Sequence, residues 1–268
     1  MICLKALSSP LHQPTLRRLN LNPSSSTLRV AAAAAAAMSS SAAVATPIEH
    51  IVLIKVRPEA AASGAATAMV SALQALSTQV PGLAYIHAGP VLRLSSPVAE
   101  ALGPTHLLHS RHAAKPDLAA YATHPAHVAA VQGHVLPNAL DTTAVDWVNM
   151  APSASPVAPG NAVRLTLAKA KEGVEPAQIV EAVAAATKVA AEAMGIKVSF
   201  GESFSPARAK GYQFGMVAVF HSMEELDAVE GNAKVLEARA GIRSLLAEQL
   251  VLDFVVGPAG DASAPANL

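Results

Sequence analysis

Aromatic side chains are scarce in this sequence: three tyrosines, one tryptophan and five phenylalanines in 268 residues. A core short of large rings has to be assembled from small and aliphatic side chains, and alanine supplies much of the 52% hydrophobic content. The one cysteine, Cys3, excludes an intramolecular disulfide. Charge of neither sign dominates, with 19 Lys+Arg against 19 Asp+Glu, and no basic patch is interleaved with aromatics, so nucleic acid is not an expected partner. No apolar run reaches the ~20 residues of a membrane-spanning helix. A Gly-rich phosphate loop after a strand and a nucleophile elbow are both missing, which argues against nucleotide-driven chemistry and leaves no cofactor to expect.

The ends of the chain differ from its middle. Residues 1–46 carry Lys5, Arg17, Arg18 and Arg29, abundant serine and no acidic residue, the composition of an organelle transit peptide. The alternative is a disordered alanine-rich leader, and a start at Met38 would remove nearly all of its basic part. A plastid is the expected destination. The closing Ala266-Asn267-Leu268 loosely matches a peroxisomal address, which keeps that compartment as the alternative. Residues 258–268 read as a flexible tail.

Between the tails one pattern occurs twice. "IEHIVLIKV" from residue 48 reads as a strand, Pro58 to Gln79 as a helix, "VPGL" as a turn, "AYIHAGPVLRL" and "THLLHSRH" as two strands, Asp117 to Leu136 as an interrupted helix and "TTAVDWVN" as a closing strand. A Pro/Ser/Ala-rich linker at 151–160 follows. The order then recurs in "AVRLTLAK", a helix from Pro176 to Met194, "KVSFGESF", "YQFGMVAVF", a helix from Met223 to Glu248 and "LVLDFVV". The closing strands share a pattern, Asp146-Trp147-Val148 against Asp253-Phe254-Val255. These observations predict an α+β fold of two tandem ferredoxin-like domains, 47–150 and 161–257. Each would leave one apolar sheet face bare, so the halves are expected to cover one another as an internal pseudo-dimer closing toward a barrel. A homo-oligomer of the whole chain is open beside it.

"EHIVLIKV", "GPTHLL", "YATHPAHV" and "DWV" together resemble the stress-response dimeric α+β barrel (Dabb) family, strongly over about 47–150 and more weakly over 161–257. The tandem arrangement behind a transit-like leader resembles plant two-domain members. Most of that family has no established chemistry. One branch, the plant olivetolic acid cyclases, closes a linear polyketide by aldol condensation with a tyrosine and a histidine. Its first-strand histidine, third-strand histidine and Tyr-x-x-His-Pro-x-His pattern is met by His50, His106, Tyr121, His124 and His127. The resemblance implies catalytic roles for Tyr121 and His127, support from His50 and His106, a ligand contact at His124, and a small apolar carbonyl compound as the ligand.

An aldol closure needs a base for the proton beside a carbonyl, and an imidazole exchanges protons near neutral pH. Tyr121 and His127 are six residues apart, about 120° out of register on an unbroken helix, and a bend at Pro125 could aim both into one pocket. The competing reading makes His-Pro-x-His a helix start, with His124 a polar joint and His127 hydrogen-bonded in the core. The first expectation is a small apolar-ligand binding or structural protein, and the alternative is a polyketide-cyclase-like or lyase enzyme using Tyr121 and His127. Eight of the ten histidines lie between His50 and His134, but no carboxylate joins them at ligand spacing, so no metal site is expected. In the second half Val229, Asn232 and Val235 take the places of Tyr121, His124 and His127. A pocket, on this reading, belongs to the first half, and the second half is its structural partner.

Overall fold

A computed structural model describes residues 46–151 and 157–257. All but the last residue of the leader, the centre of the linker and the tail lie outside the described residues. The first half runs β1 (Ile48–Val56), α1 (Pro58–Ala62), α2 (Ala65–Gln79), β2 (Leu83–Pro90), β3 (Arg93–Leu94), α3 (Pro97–Leu102), β4 (His106–His112), α4 (Lys115–Thr123), α5 (Pro125–Ala130), a π-helical turn (Val131–Val135), α6 (Leu136–Asn138) and β5 (Ala139–Val148). The second runs β6 (Ala162–Ala170), α7 (Pro176–Met194), β7 (Lys197–Glu202), β8 (Phe214–Phe220), α8 (Met223–Val229), α9 (Ala233–Arg243) and β9 (Leu246–Val255).

The sheets have orders β2-β4-β1-β5 and β3-β9-β6-β8-β7, and every pairing between these strands is antiparallel. Setting the short β3 aside, both are the ferredoxin-like arrangement. The central strands are apolar on both faces because each face is covered. Ile51, Leu53, Leu107, Val145 and Trp147 of the first sheet meet Val163, Leu165, Val217, Leu252 and Phe254 of the second in one shared core. The opposite faces carry a separate helix–sheet core in each half. The halves thus form the expected internal pseudo-dimer.

The halves also exchange loops. The segment after β2 crosses to the second sheet, where Leu92 N–H donates to the Asp253 carbonyl at 2.9 Å and β3 pairs with β9. In return the segment after β7 crosses to β5, where Phe204 N–H donates to the Asp146 carbonyl at 3.0 Å. Trp147, fully buried, packs where Gly201 and Gly215 leave room: a Cβ on Gly215 would lie 2.9 Å from the indole Cδ2 and closer still to Cε3 and Cζ3.

Several boundaries differ from the sequence reading. The helix expected over Pro58–Gln79 breaks at Gly64, whose φ of 78° is left-handed. "AYIHAGPVLRL" is two strands in different sheets, because the chain leaves the first sheet after Pro90. The helix expected from Met223 to Glu248 breaks at Asn232 and ends at Arg243; Leu246–Gln249 pair with β6, so ladder pairing overrides the helical preference of Leu, Ala, Glu and Gln. The interruption after Tyr121 falls at His124, ahead of Pro125, and the π turn precedes Pro137, which lacks the N–H and crowds the carbonyl four residues back.

Candidate functional site

Strand parity places the first half's polar residues on two different sides of its sheet. On the helix side, β1 presents His50, β5 Asp146, and β4 Ser110 and His112, all buried. Helix α4 adds Tyr121, 1% exposed, and α5 adds the half-buried His127. The Tyr121 ring centre lies 4.4 Å from that of His127, 5.0 Å from His112 and 5.9 Å from His50. The bend at Pro125 therefore does bring Tyr121 and His127 together. His50 Nδ1 donates to Asp146 Oδ1 at 2.5 Å, which leaves Nε2 with the lone pair in the neutral ring. Asp146 is also paired with Arg208 from the exchanged loop. Burial acts to raise the Asp146 pKa, but His50 and Arg208 outweigh it and hold the carboxyl below its ordinary value.

Burial, aided by His50, lowers the His112 pKa to about 4, and burial also lowers that of His127, so both rings are neutral bases at pH 7. Burial raises the Tyr121 pKa, keeping its hydroxyl protonated. That hydroxyl is buried without a hydrogen-bond partner, and so is His112 Nδ1.

The other two expected residues stand apart. His124 is the N-cap of α5, its Nδ1 accepting from Ala126 N–H at 3.2 Å, and Asn232 caps α9 in the same way. His106 faces the helices too, but six strand residues, ~20 Å, separate it from His112, and its Nδ1 lies 3.0 Å from Thr105 Oγ1. Sequence reasoning did not assign roles to His112 and Asp146. The available signal was a carboxylate at the centre of an apolar strand in both halves, which has to find a partner.

On the barrel side sits a second cluster that sequence reasoning missed. Fully buried Glu49 accepts from His109 Nε2 at 2.8 Å, Arg111 Nε at 2.8 Å and the Tyr85 hydroxyl at 3.3 Å. Burial opposes its ionisation, yet His109 and Arg111 together hold its pKa down to about 2. Among the described residues no group of three or more His, Cys, Asp and Glu could hold a metal ion, and no helix is long and apolar enough to cross a membrane.

The second half uses the same frame differently. Arg164 occupies the β6 position of His50 and forks onto Asp253 at 2.8 and 3.1 Å. Arg93 of the exchanged loop reaches Asp253 at 2.7 Å, as Arg208 reaches Asp146. Between this sheet and α7–α9 lies a cavity of about 390 Å³, with one of about 60 Å³ adjoining it. A third opening, of about 500 Å³, runs along β2 and α2 beside Phe254–Gly257. Neither Tyr121 nor His127 lines any of the three. A helix–sheet cavity therefore lies in the half where sequence reasoning expected only a structural partner.

Two sheets packed face to face, helices outside and loops exchanged define a two-domain dimeric α+β barrel. The chain belongs to the stress-responsive A/B barrel domain (Dabb) family, whose model matches residues 48–149 and 162–256. It is 36% identical to a stress-response A/B barrel domain-containing protein of Arabidopsis thaliana over 219 residues, 81% of each chain. It is 33% identical to a second protein of that description from the same plant, over 78% of this chain and 96% of the relative. Among solved structures it resembles an anthrone oxidase-like protein (TM-score 0.55, 13% identity, covering 82% of this chain and 96% of that one). It also resembles a mutant chlorite dismutase from Candidatus Nitrospira defluvii (TM-score 0.52, 10% identity, 81% and 93% covered). At these identities the likeness is one of fold.

Proposed function

We propose that this stress-response barrel protein binds a small, largely apolar carbonyl compound in its first half and labilises the proton beside the carbonyl. The observation that carries the reading is the Tyr121 hydroxyl, buried and undonated among three imidazoles. An unsatisfied buried hydroxyl costs ~1–3 kcal/mol, which a carbonyl oxygen accepting its proton would recover. With the oxygen so held, the neutral imidazole of His127 takes the α-proton, and negative charge gathers on the oxygen facing Tyr121. None of the three cavities reaches Tyr121, so entry requires His127, packed on Tyr121 and reaching solvent, to move aside. The basic, acid-free leader supports delivery to a plastid, which amino-terminal sequencing of the protein from tissue would test.

The test is hydrogen–deuterium exchange at the α-carbon of nonan-2-one and of heptane-2,4-dione in D2O, followed by NMR. Wild type should exceed buffer, and Tyr121→Phe and His127→Gln should lower the enzymatic rate ~10²-fold or more. Tyr121→Phe should leave the fold as stable as wild type or up to ~1–2 kcal/mol more stable, because it removes an unpaired buried hydroxyl. No exchange above buffer, with no shift of wild-type melting by either ketone, would reduce the cluster to a packed helix joint.

A further inference from the structure

The 390 Å³ cavity of the second half has no counterpart in the imidazole cluster and falls within the ~300–1,000 Å³ typical of small-ligand sites. Its origin is legible in the substitutions: Val229 and Val235 stand where Tyr121 and His127 fill the first half, and both valines line the adjoining 60 Å³ space. Removing a phenol ring and an imidazole from between helices and sheet leaves apolar room.

The charges around that room are unbalanced. Four arginines, Arg93, Arg164, Arg239 and Arg243, and two carboxylates, Asp227 and Glu230, line it, with Asp253 behind Arg93 and Arg164 as their partner. Asp253 is fully buried and engaged by Arg164 and Arg93, and Asp227 by the outer nitrogen of Arg93. Glu230 alone serves both Arg164 and Arg239, at 45% side-chain exposure. Arg243, also in the lining, is exposed and makes no ion pair with a described residue. Arg239 and Arg243 are four apart on α9, hence on one face, with Ala240 beside Arg239 in the lining. Val183, Met216 and Ile242 line both spaces, giving a continuous apolar wall from the arginines inward.

We propose that this cavity is a second ligand site, for a small amphipathic carboxylate whose head is held by Arg239 and Arg243 and whose tail lies along Val183, Met216 and Ile242 toward Val229 and Val235. A planar carboxylate matches the guanidinium fork, supplies the missing negative charge and carries an apolar body for the wall. A cation would meet net repulsion, and a neutral amphiphile would leave the arginines as they are.

Octanoate and 1-octanol, the same tail with and without the charge, test this by titration calorimetry on the full chain. Octanoate should bind at least about tenfold tighter than octanol, and the Arg239→Gln/Arg243→Gln variant should lose that margin while keeping its octanol affinity. Ala240→Trp, which plugs the cavity, should abolish both. Tyr121→Phe should leave octanoate binding unchanged, so failure of the first-half proposal and failure of this one read out separately. Equal affinity for octanol and octanoate, no octanoate binding by wild type, undiminished binding by the double arginine variant, or loss of octanoate binding in Tyr121→Phe would each overturn the assignment.

Discussion

Replacing Asp253 by Asn should damage the fold more than replacing Asp146, although the two carboxylates occupy equivalent strand positions. Both are fully buried. Asp253 accepts two bonds from Arg164, one from Arg93 at 2.7 Å and one from Ser95 at 2.8 Å. Arg164 cannot give up its proton and its side chain is 8% exposed, so Asp253→Asn leaves a buried cation with only the half-exposed Glu230 as a charged partner, at ~3–5 kcal/mol. Asp146 faces His50, which can become neutral, and Arg208, whose side chain is 56% exposed and can turn to water. Its replacement should therefore stay within ~1–3 kcal/mol. At ~2–4 °C per kcal/mol for a domain of this size, the melting temperature should fall by ~6–20 °C for Asp253→Asn and by ~2–12 °C for Asp146→Asn. Urea unfolding followed by circular dichroism and by the sole tryptophan, Trp147, which is buried between the halves, measures both variants on one scale. An Asp146→Asn loss equal to or larger than that of Asp253→Asn would refute the argument that the permanence of the partner's charge sets the difference.

Gly215→Ala should lower stability by ~1–3 kcal/mol through collision with the Trp147 ring, and should shift the tryptophan emission as well as the urea midpoint; an unchanged emission and midpoint would mean the halves are not pressed together there. Acid should destabilise the protein as pH falls from about 6.5 toward 4. Burial and His50 hold His112 at about 4 when folded, so the unfolded chain takes up that proton first, and stability is full above 6.5 and lost on the way down. The ceiling for this one ring is about 3 kcal/mol at pH 4. His112→Gln should flatten the urea midpoint between pH 7 and 4.5, and an unaltered slope would count against the assignment.

Much of the fold could be read from the sequence because its signals are local. Alternating and fully apolar runs gave strand positions, and the repeated order with its shared Asp-aromatic-Val strand gave two equivalent halves. What escaped was what depends on the other half. Arg93-Leu94 pairs with β9 because a loop crosses between sheets, and nothing within "VLRL" records that. Tyr121 and His127 were recognisable through Pro125, whereas His106 carried the right residue type on the right face but lies ~20 Å along β4 from His112. The second-half cavity was invisible for the opposite reason: it follows from volume that valines fail to fill, and the arginines around it come from β3, β6 and α9.

Fusion of two barrel halves in one chain removes a constraint that a homodimer of identical chains would carry, since there the residue facing each buried carboxylate must be the same. Here it is His50 in one half and Arg164 in the other. An imidazole ring at 50 lets Tyr121 and His112 pack on it, with His127 packed in turn on Tyr121, so α4 and α5 close over the sheet. A permanent cation at 164 draws in a second carboxylate, Glu230, and through it Arg239, so a polar network spans from sheet to α9 and holds the helix away with space beneath. Each carboxylate is nonetheless steadied by an arginine of the opposite half, Arg208 on Asp146 and Arg93 on Asp253. The two helix–sheet faces therefore differ in shape and charge, while the carboxylate of each still depends on the other half for an arginine that steadies it.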